Sequence, residues 1–323
     1  MNEINIGRDA LVADLPQRGN GGEAIRVSHV VKRFKNVTAV DNLSFVVPEG
    51  SLFAFLGSNG AGKTTTISCM TTLLAPTEGS ITVDGYDVVS DPYKVRERIG
   101  VVFQQSLLDP RLSVQENLSL KAGIYGVPNS RIDHLSDLVD LGDFRDRPYG
   151  VLSGGQKRRA DIARALLHQP KIIFLDEPTA GLDPQSREQI WRAITDLRQQ
   201  LGLTVVLTTH YMQETEFADH VLVIDKGRVI AAGTPIELRA RYSTPTLLIK
   251  YSESTRQLII ATIERHIPGA RWHDEGGAII TPLERAYDAL PIINELSEDA
   301  ADFQVMQGSM DDVFLNLMKE THK

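Results

Sequence analysis

Two short stretches of this sequence carry residue types suited to handling phosphate. Gly57-Ser58-Asn59-Gly60-Ala61-Gly62-Lys63-Thr64 follows the apolar run Leu52 to Leu56 and opens a helical pattern. In that strand-loop-helix setting the G-x-x-x-x-G-K-[ST] spacing points to a nucleotide phosphate cradle. The glycines let backbone N–H groups turn toward one point, and the helix start adds partial positive charge. Lys63 supplies a full charge near the terminal phosphates, and Thr64 offers a hydroxyl to Mg2+. Thr65 completes the residues expected to touch ATP on this loop. The second stretch is Ile172-Ile173-Phe174-Leu175-Asp176-Glu177, where an apolar run ends in two acids. At a strand's C-terminal end Asp176 is placed to hold a Mg2+ shell through water. Glu177 is placed to orient and polarise a water for in-line attack on the γ-phosphate. An isolated Asp-Glu pair reads equally well as a solvated strand end; a cradle roughly 110 residues upstream favours the chemistry.

These groups need a frame. From Ala24 onward, strand-length apolar runs (Leu52 to Leu56, Ile99 to Phe103, Ile172 to Leu175, Thr204 to Leu207, Val221 to Ile224) alternate with helical patterns. Several are apolar without alternation, so both faces must be covered, which predicts a parallel sheet flanked by helices. The stretch from Val114 to Val139 lacks such runs and predicts a helical insertion, with a turn at Gly126-Val127-Pro128-Asn129. The pattern changes near Gly233-Thr234-Pro235. After a short helix to Tyr242, strands at Leu247 to Tyr251, Ala278 to Thr281 and Phe303 to Val305 alternate with helices at Glu253 to His266, Leu283 to Leu296 and from Met310. Ser309 and Asp312 form a capping signal for the last helix. The expected organisation is a flexible polar extension over residues 1–23, an α/β nucleotide-binding domain over 24–242 and a small α+β domain over 243–323.

The 323 residues are 42% hydrophobic and 24% charged, the composition of a globular protein with a sizeable core. A net charge of −8 offers no basic field for phosphate backbones, so no direct nucleic-acid partner is expected. Cys69 is the one cysteine, which excludes an internal disulfide; it is expected to pack in the core. No run approaches the length of a membrane-spanning helix, and Met1 to Gly22 lacks the apolar centre of a signal peptide.

Between the cradle and the acidic pair stands Leu152-Ser153-Gly154-Gly155-Gln156, with which the chain resembles the ABC ATPase family in its signature motif. The expected fold is therefore the P-loop ABC ATPase domain, with a helical subdomain and an antiparallel region near the N-terminus. The signature loop opens a helix, so Ser153 and the N–H groups of Gly154 and Gly155 can address an anion. The resemblance implies that this anion is the γ-phosphate on the P-loop of a second subunit, so that each site is built from two chains. It also implies that Gln104 senses Mg2+ and the membrane partner, with the adjacent Gln105 as the alternative register. Asp183 matches the loop that communicates between sites, and His210 the histidine that contacts the γ-phosphate. Phe34 stands where the family usually stacks tyrosine on adenine, and stacking needs only the ring. Lys157, Arg158 and Arg159 are expected to form a solvated helix face, and the other seven histidines are left structural.

The strings Leu207-Thr208-Thr209-His210-Tyr211-Met212 and Gly181-Leu182-Asp183-Pro184-Gln185-Ser186 are similar to those of ABC-2 type drug and glycolipid exporters, including daunorubicin-resistance ATPases. The tail from Ser309 to Leu315 supports the same subgroup. Gln156 is a departure, since many of that branch have methionine there. The resemblance implies an ATP- and Mg2+-dependent ATPase that pairs with a second copy or a related subunit. It would drive a separate membrane permease from the cytoplasmic face. The alternative is a soluble ABC ATPase acting on ribosomes or nucleic acid. One cassette, with the signature about 90 residues after Lys63 and no sustained heptads, disfavours it.

Overall fold

A computed structural model describes residues 22–296 and 302–321. The expected N-terminal extension lies outside them up to residue 21, and Glu23 already opens the first strand. The chain divides into two units, Met1–Thr234 and Pro235–Lys323.

The first unit begins with β1 (Glu23–Phe34), β2 (Val37–Pro48) and β3 (Leu52–Leu56), followed by α1 (Lys63–Met70), β4 (Glu78–Val83) and β5 (Tyr86–Asp87). Next come α2 (Pro92–Arg98), β6 (Ile99–Val102), the helical insertion α3 (Val114–Tyr125) and α4 (Ser130–Leu138), then α5 (Gly154–Leu166) and β7 (Ile172–Asp176). It ends with α6 (Pro184–Leu201), β8 (Thr204–Thr209), β9 (His220–Asp225) and β10 (Arg228–Gly233). Two sheets result. One is antiparallel, in the order β2-β1-β4-β5; the other runs β10-β9-β3-β8-β7-β6, parallel except for β10.

Every residue of β3, β7 and β8 is buried, the burial that their unbroken apolar runs require. One set of alternate side chains, including Phe53, Phe55, Phe174 and Val206, joins a core with Phe45 of β2 and Ile67 and Met70 of α1. Phe45 lies 5.7 Å from Phe53 and 5.3 Å from Phe55, ring centre to ring centre. The opposite set, Ile173, Leu175 and Val205, meets Ile162 of α5 and Ile194 and Leu197 of α6. The insertion forms as its sequence dictates. Ser113 and Glu116 make a reciprocal cap at its start, and Gly126 ends α3 in the left-handed conformation that glycine adopts freely.

The second unit contains α7 (Pro235–Tyr242), β11 (Thr246–Lys250), α8 (Arg256–His266), β12 (His273–Glu275), β13 (Ala278–Pro282), α9 (Ala289–Glu295), β14 (Asp302–Met306) and α10 (Met310–Thr321). Its antiparallel sheet has the order β12-β13-β11-β14. Leu247, Ile249 and Ile279 of the sheet pack on Ile259 and Ile263 of α8 and Ile292 of α9. The division falls before α7, ahead of the boundary expected after Tyr242. The reason is non-local: Asn316 of α10 donates its amide to the Tyr242 carbonyl at 2.9 Å, and Leu238 is buried. Strand β12, short and exposed, has no apolar pattern and went unpredicted. The Ser309–Asp312 cap is present, with the Asp312 N–H donating to Ser309 Oγ at 3.2 Å.

Candidate active site

The cradle sits between β3 and α1. Two of its glycines answer to close approach. A Cβ on Gly57 would lie 2.4 Å from the Ile224 carbonyl oxygen, and one on Gly62, at φ +105°, 2.5 Å from that of Ala39. Lys63, 5% exposed, donates its ammonium to the carbonyls of Gly57 at 2.7 Å and Ser58 at 3.1 Å, which points it back across the loop it must serve. Burial pulls its pKa down, opposed by the negative charges of Glu177 and Asp176. Ser58, Asn59, Gly60 and Thr64 are exposed, Thr65 is half-buried and Ala61 is buried.

The end of β7 delivers both carboxylates to the same place, where the end of β8 brings Thr208 and His210. Asp176 Oδ1 accepts from Thr208 Oγ1 at 2.6 Å and lies 3.4 Å from Thr64 Oγ1. These oxygens suit a hard divalent cation that completes its shell with water and phosphate oxygens. Among the described residues no group of three or more His, Cys, Asp and Glu gathers to form an all-protein cage. The Glu177 N–H donates to Thr208 Oγ1 at 3.1 Å, and its Oε1 lies 3.2 Å from His210 Nδ1. Glu177 adopts φ +47°, a left-handed conformation that non-glycine residues take at a cost and that recurs at functional sites. Residues more than 100 positions apart, Lys63 and Thr64 on one side and Asp176, Glu177 and His210 on the other, therefore share one neighbourhood.

The signature loop is a helix N-cap. Ser153 Oγ accepts from the Gln156 N–H at 3.3 Å, while the Gln156 side chain accepts from the Ser153 N–H at 3.1 Å. This reciprocal pair gives Gln156 a local task that methionine could not perform. The helix begins at Gly154, with Ser153 exposed and Leu152 buried. Cβ atoms on Gly154 and Gly155 would strike Leu182 and Ser186, so the glycines allow the signature to press on the loop that holds Asp183. Asp183 caps α6, accepting from the Ser186 N–H at 2.9 Å and the Ser186 hydroxyl at 2.6 Å, bonds that lower its pKa.

Other expected residues stand further out. Strand β6 stops at Val102, and Gln104 and Gln105 are both exposed in the bend beyond it; no hydrogen bond ties either to Thr64 or Asp176. Phe34, at the end of β1, is 42% exposed with Lys32 Nζ 5.1 Å from its ring centre, so core packing does not account for it. Cys69 is buried, and burial raises its thiol pKa to about 11, which keeps it unreactive.

The solvated face expected for Lys157, Arg158 and Arg159 is corrected: Arg158 and Arg159 are each 8% exposed. Arg159 donates to the Asp140 carbonyl, and Arg158 donates to the carbonyls of Phe103 at 2.7 Å and Glu177 at 3.2 Å. Asp161 accepts from Ser106 Oγ at 2.6 Å and Tyr149 OH at 3.1 Å; burial raises its pKa against those bonds and the charges of Arg164 and Arg158. Arg158, Asp161, Ile162 and Ala165 follow the spacing of one helix face, a signal that could have marked the two charged members as inward. Glu214, 1% exposed, accepts the Thr179 hydroxyl on Oε1, and burial raises its pKa. No local signal marked it, because its partner lies 35 positions upstream.

Comparison with known proteins places this geometry in context. The ABC transporter family model matches residues 40–180. The chain is 38% identical over 307 residues to the daunorubicin/doxorubicin resistance ATP-binding protein DrrA of Streptomyces peucetius, covering 91% of this chain and 92% of that protein. Its fold resembles that of cbiO1 from Clostridium perfringens, part of the ABC transporter complex cbiONQ. There the TM-score is 0.63 at 29% identity, over 76% of this chain and 96% of that one. It also resembles the dimeric MJ0796 ATP-binding cassette in a post-hydrolysis state bound to ADP and Pi, with a TM-score of 0.60 at 30% identity, over 65% and 98%.

Proposed function

Because this chain belongs to the ABC transporter family as an ATP-binding subunit, we propose that it hydrolyses ATP in a two-subunit sandwich and drives export of an amphipathic compound through a separate permease. The observation that carries the reading is the convergence of Thr64, Asp176, Glu177 and His210 from three separate elements onto one point beside the cradle.

In this reading the N–H groups from Ser58 to Thr65 and the Lys63 ammonium hold the β- and γ-phosphates. Phe34 supplies an aromatic face for adenine. Lys63 leaves its carbonyl partners as phosphate oxygens replace them, an exchange that keeps the ammonium hydrogen-bonded throughout. Thr64 and Asp176, with Gln104 reaching in from its loop, would hold Mg2+. The ion supplies charge neutralisation at the phosphates when bound. The Glu177 carboxylate accepts a proton from the attacking water as its oxygen bonds to the γ-phosphorus and the bond to the ADP oxygen breaks. His210, against Glu177 Oε1, orients that carboxylate and reaches toward the γ-phosphate. Leu152 to Gln156 of a second copy closes the site, with Ser153 and two N–H groups on the γ-phosphate. Asp183 meets the partner at the same seam.

The export assignment rests on relatives named for resistance to daunorubicin and doxorubicin. Among the described residues no helix is long and apolar enough to cross a membrane; in this reading the permease is a separate chain. The test is affinity purification of the tagged chain from detergent-solubilised native membranes, with ATPase activity assayed in the eluate. A polytopic membrane protein recovered in near-equal amount is the expected result. Recovery of ribosomal or DNA-associated proteins without a membrane partner would replace the transporter reading with the soluble one.

A further inference from the structure

We propose that Arg158 is a positioning residue that ties the catalytic carboxylate to the Gln104 loop and to the signature helix; this rests on Glu177 being the base. Its guanidinium spans two loops. Nη1 donates to the carbonyl of Phe103, immediately before Gln104, and Nη2 donates to the carbonyl of Glu177 itself. The planar fork of an arginine holds two acceptors in fixed relation, which a lysine ammonium cannot reproduce.

The peptide it grips is the strained one. Glu177 is held at φ +47° by three hydrogen bonds: its N–H donates to Thr208 Oγ1, and its carbonyl accepts from Arg158 at 3.2 Å and from the Ala180 N–H at 3.3 Å. A left-handed residue without a glycine's freedom persists only where its surroundings over-determine it. The direction of the carboxylate toward His210 follows from that backbone, so loosening the carbonyl lets the side chain swing away. Arg158 is itself held in place. It is buried, its helix is capped by Ser153, and Asp161 one turn on is locked by Ser106 and Tyr149. Engagement of the signature by a partner's nucleotide thus acts on a rigid helix whose second turn carries the anchor for both loops.

The test compares full-length wild type with Arg158→Gln, Arg158→Lys and Arg158→Ala. The readouts are steady-state phosphate release, ATP affinity and the unfolding midpoint, with Glu177→Gln in parallel. For Arg158→Gln, kcat is expected to fall about 10- to 100-fold while ATP affinity changes less than about twofold, the signature of a displaced group and not a lost binding site. Arg158→Lys should lie between the two, and millimolar guanidinium should restore part of the kcat of Arg158→Ala. A kcat for Arg158→Gln equal to wild type overturns the inference, as does a loss of ATP affinity in step with kcat. Should Arg158→Gln fail to fold, Arg158→Lys decides: a lower kcat at unchanged ATP affinity supports the role, and a wild-type kcat overturns it. An inactive Glu177→Gln beside fully active Arg158 variants removes only this inference, whereas an active Glu177→Gln removes the assignment of the base.

Discussion

The two units of this protein treat charge in opposite ways. In the first, Lys63, Arg158, Arg159, Asp161, Arg164, Asp176, Glu214 and Asp225 are all buried. In the second, the buried polar side chains among the described residues are the two threonines Thr262 and Thr281. Its charges pair at the surface, as in Arg256–Asp274, Arg265–Glu295 and Lys250–Asp302. Removing an ion from water is costly even when it is paired, so a cluster of buried charges is poor evidence of stability and better evidence of a constraint on position. Exposed pairs contribute little and tolerate replacement. The contrast teaches that the first unit gives up stability to hold charged groups at fixed points, while the second is organised as an apolar core with a solvated rim.

The sharpest way to break the comparison is at Glu177. Glu177→Gln removes the proton acceptor at nearly constant shape and is expected to lower turnover by about 10²- to 10⁴-fold. ATP binding should persist, and the closed dimer should accumulate on gel filtration with ATP. Hydrolysis at the wild-type rate would show that the strained backbone there serves something else. Next in size is Ser153→Asn, which keeps a competent helix cap but removes the hydroxyl that we propose meets the partner's phosphate. Hydrolysis should fall by roughly 10²-fold with ATP binding intact. Equal loss of both would mean that the signature acts only within its own chain.

A smaller effect tests the cost of burial directly. Burial raises the Glu214 pKa above 4.5, partly opposed by the charges of Arg187 and His210 that face it. The folded state then binds this proton more tightly than the unfolded state. The contribution to stability is complete below 4.5 and is lost as pH rises through the raised folded value. Glu214→Gln lacks that loss, so its melting temperature relative to wild type should climb with pH across this window. A difference that is flat with pH would remove Glu214 from the set of strained charges. The smallest effect is expected in the second unit, where Arg265→Ala should leave the unfolding midpoint and the ATPase rate within error. A marked drop in either would show that the surface pairs there are not a passive rim.

Much of the fold was legible because it is written in local periodicity. The unbroken apolar runs of β3, β7 and β8 announced a doubly covered parallel sheet. The Ser113–Glu116 and Ser309–Asp312 pairs announced helix starts, since a cap is a contact across three residues. The strand-loop-helix placement of the glycine-rich motif and the strand-end placement of the acidic pair were legible for the same reason: each motif is short, with residue types at fixed spacing. Arg158 and Asp161 were misread or passed over because a charged residue after a polar loop reads as solvent-facing until its partners are known. Arg158 donates to the carbonyls of Phe103 and Glu177, and Asp161 accepts from the hydroxyls of Ser106 and Tyr149.

The sequence by itself determined the strands of the parallel sheet, the short glycine-rich and acidic motifs and the family, because these depend on patterns within a few turns of chain. Only the tertiary structure decided that Gln156 closes the signature cap and that Glu177 is held in a left-handed conformation. It also decided that α7 belongs with the last helix, and that one buried guanidinium binds the carbonyls of both Phe103 and Glu177. These features depend on which distant carbonyls and hydroxyls end up adjacent, and on a backbone torsion set by tethers from several strands at once. No local spacing encodes either.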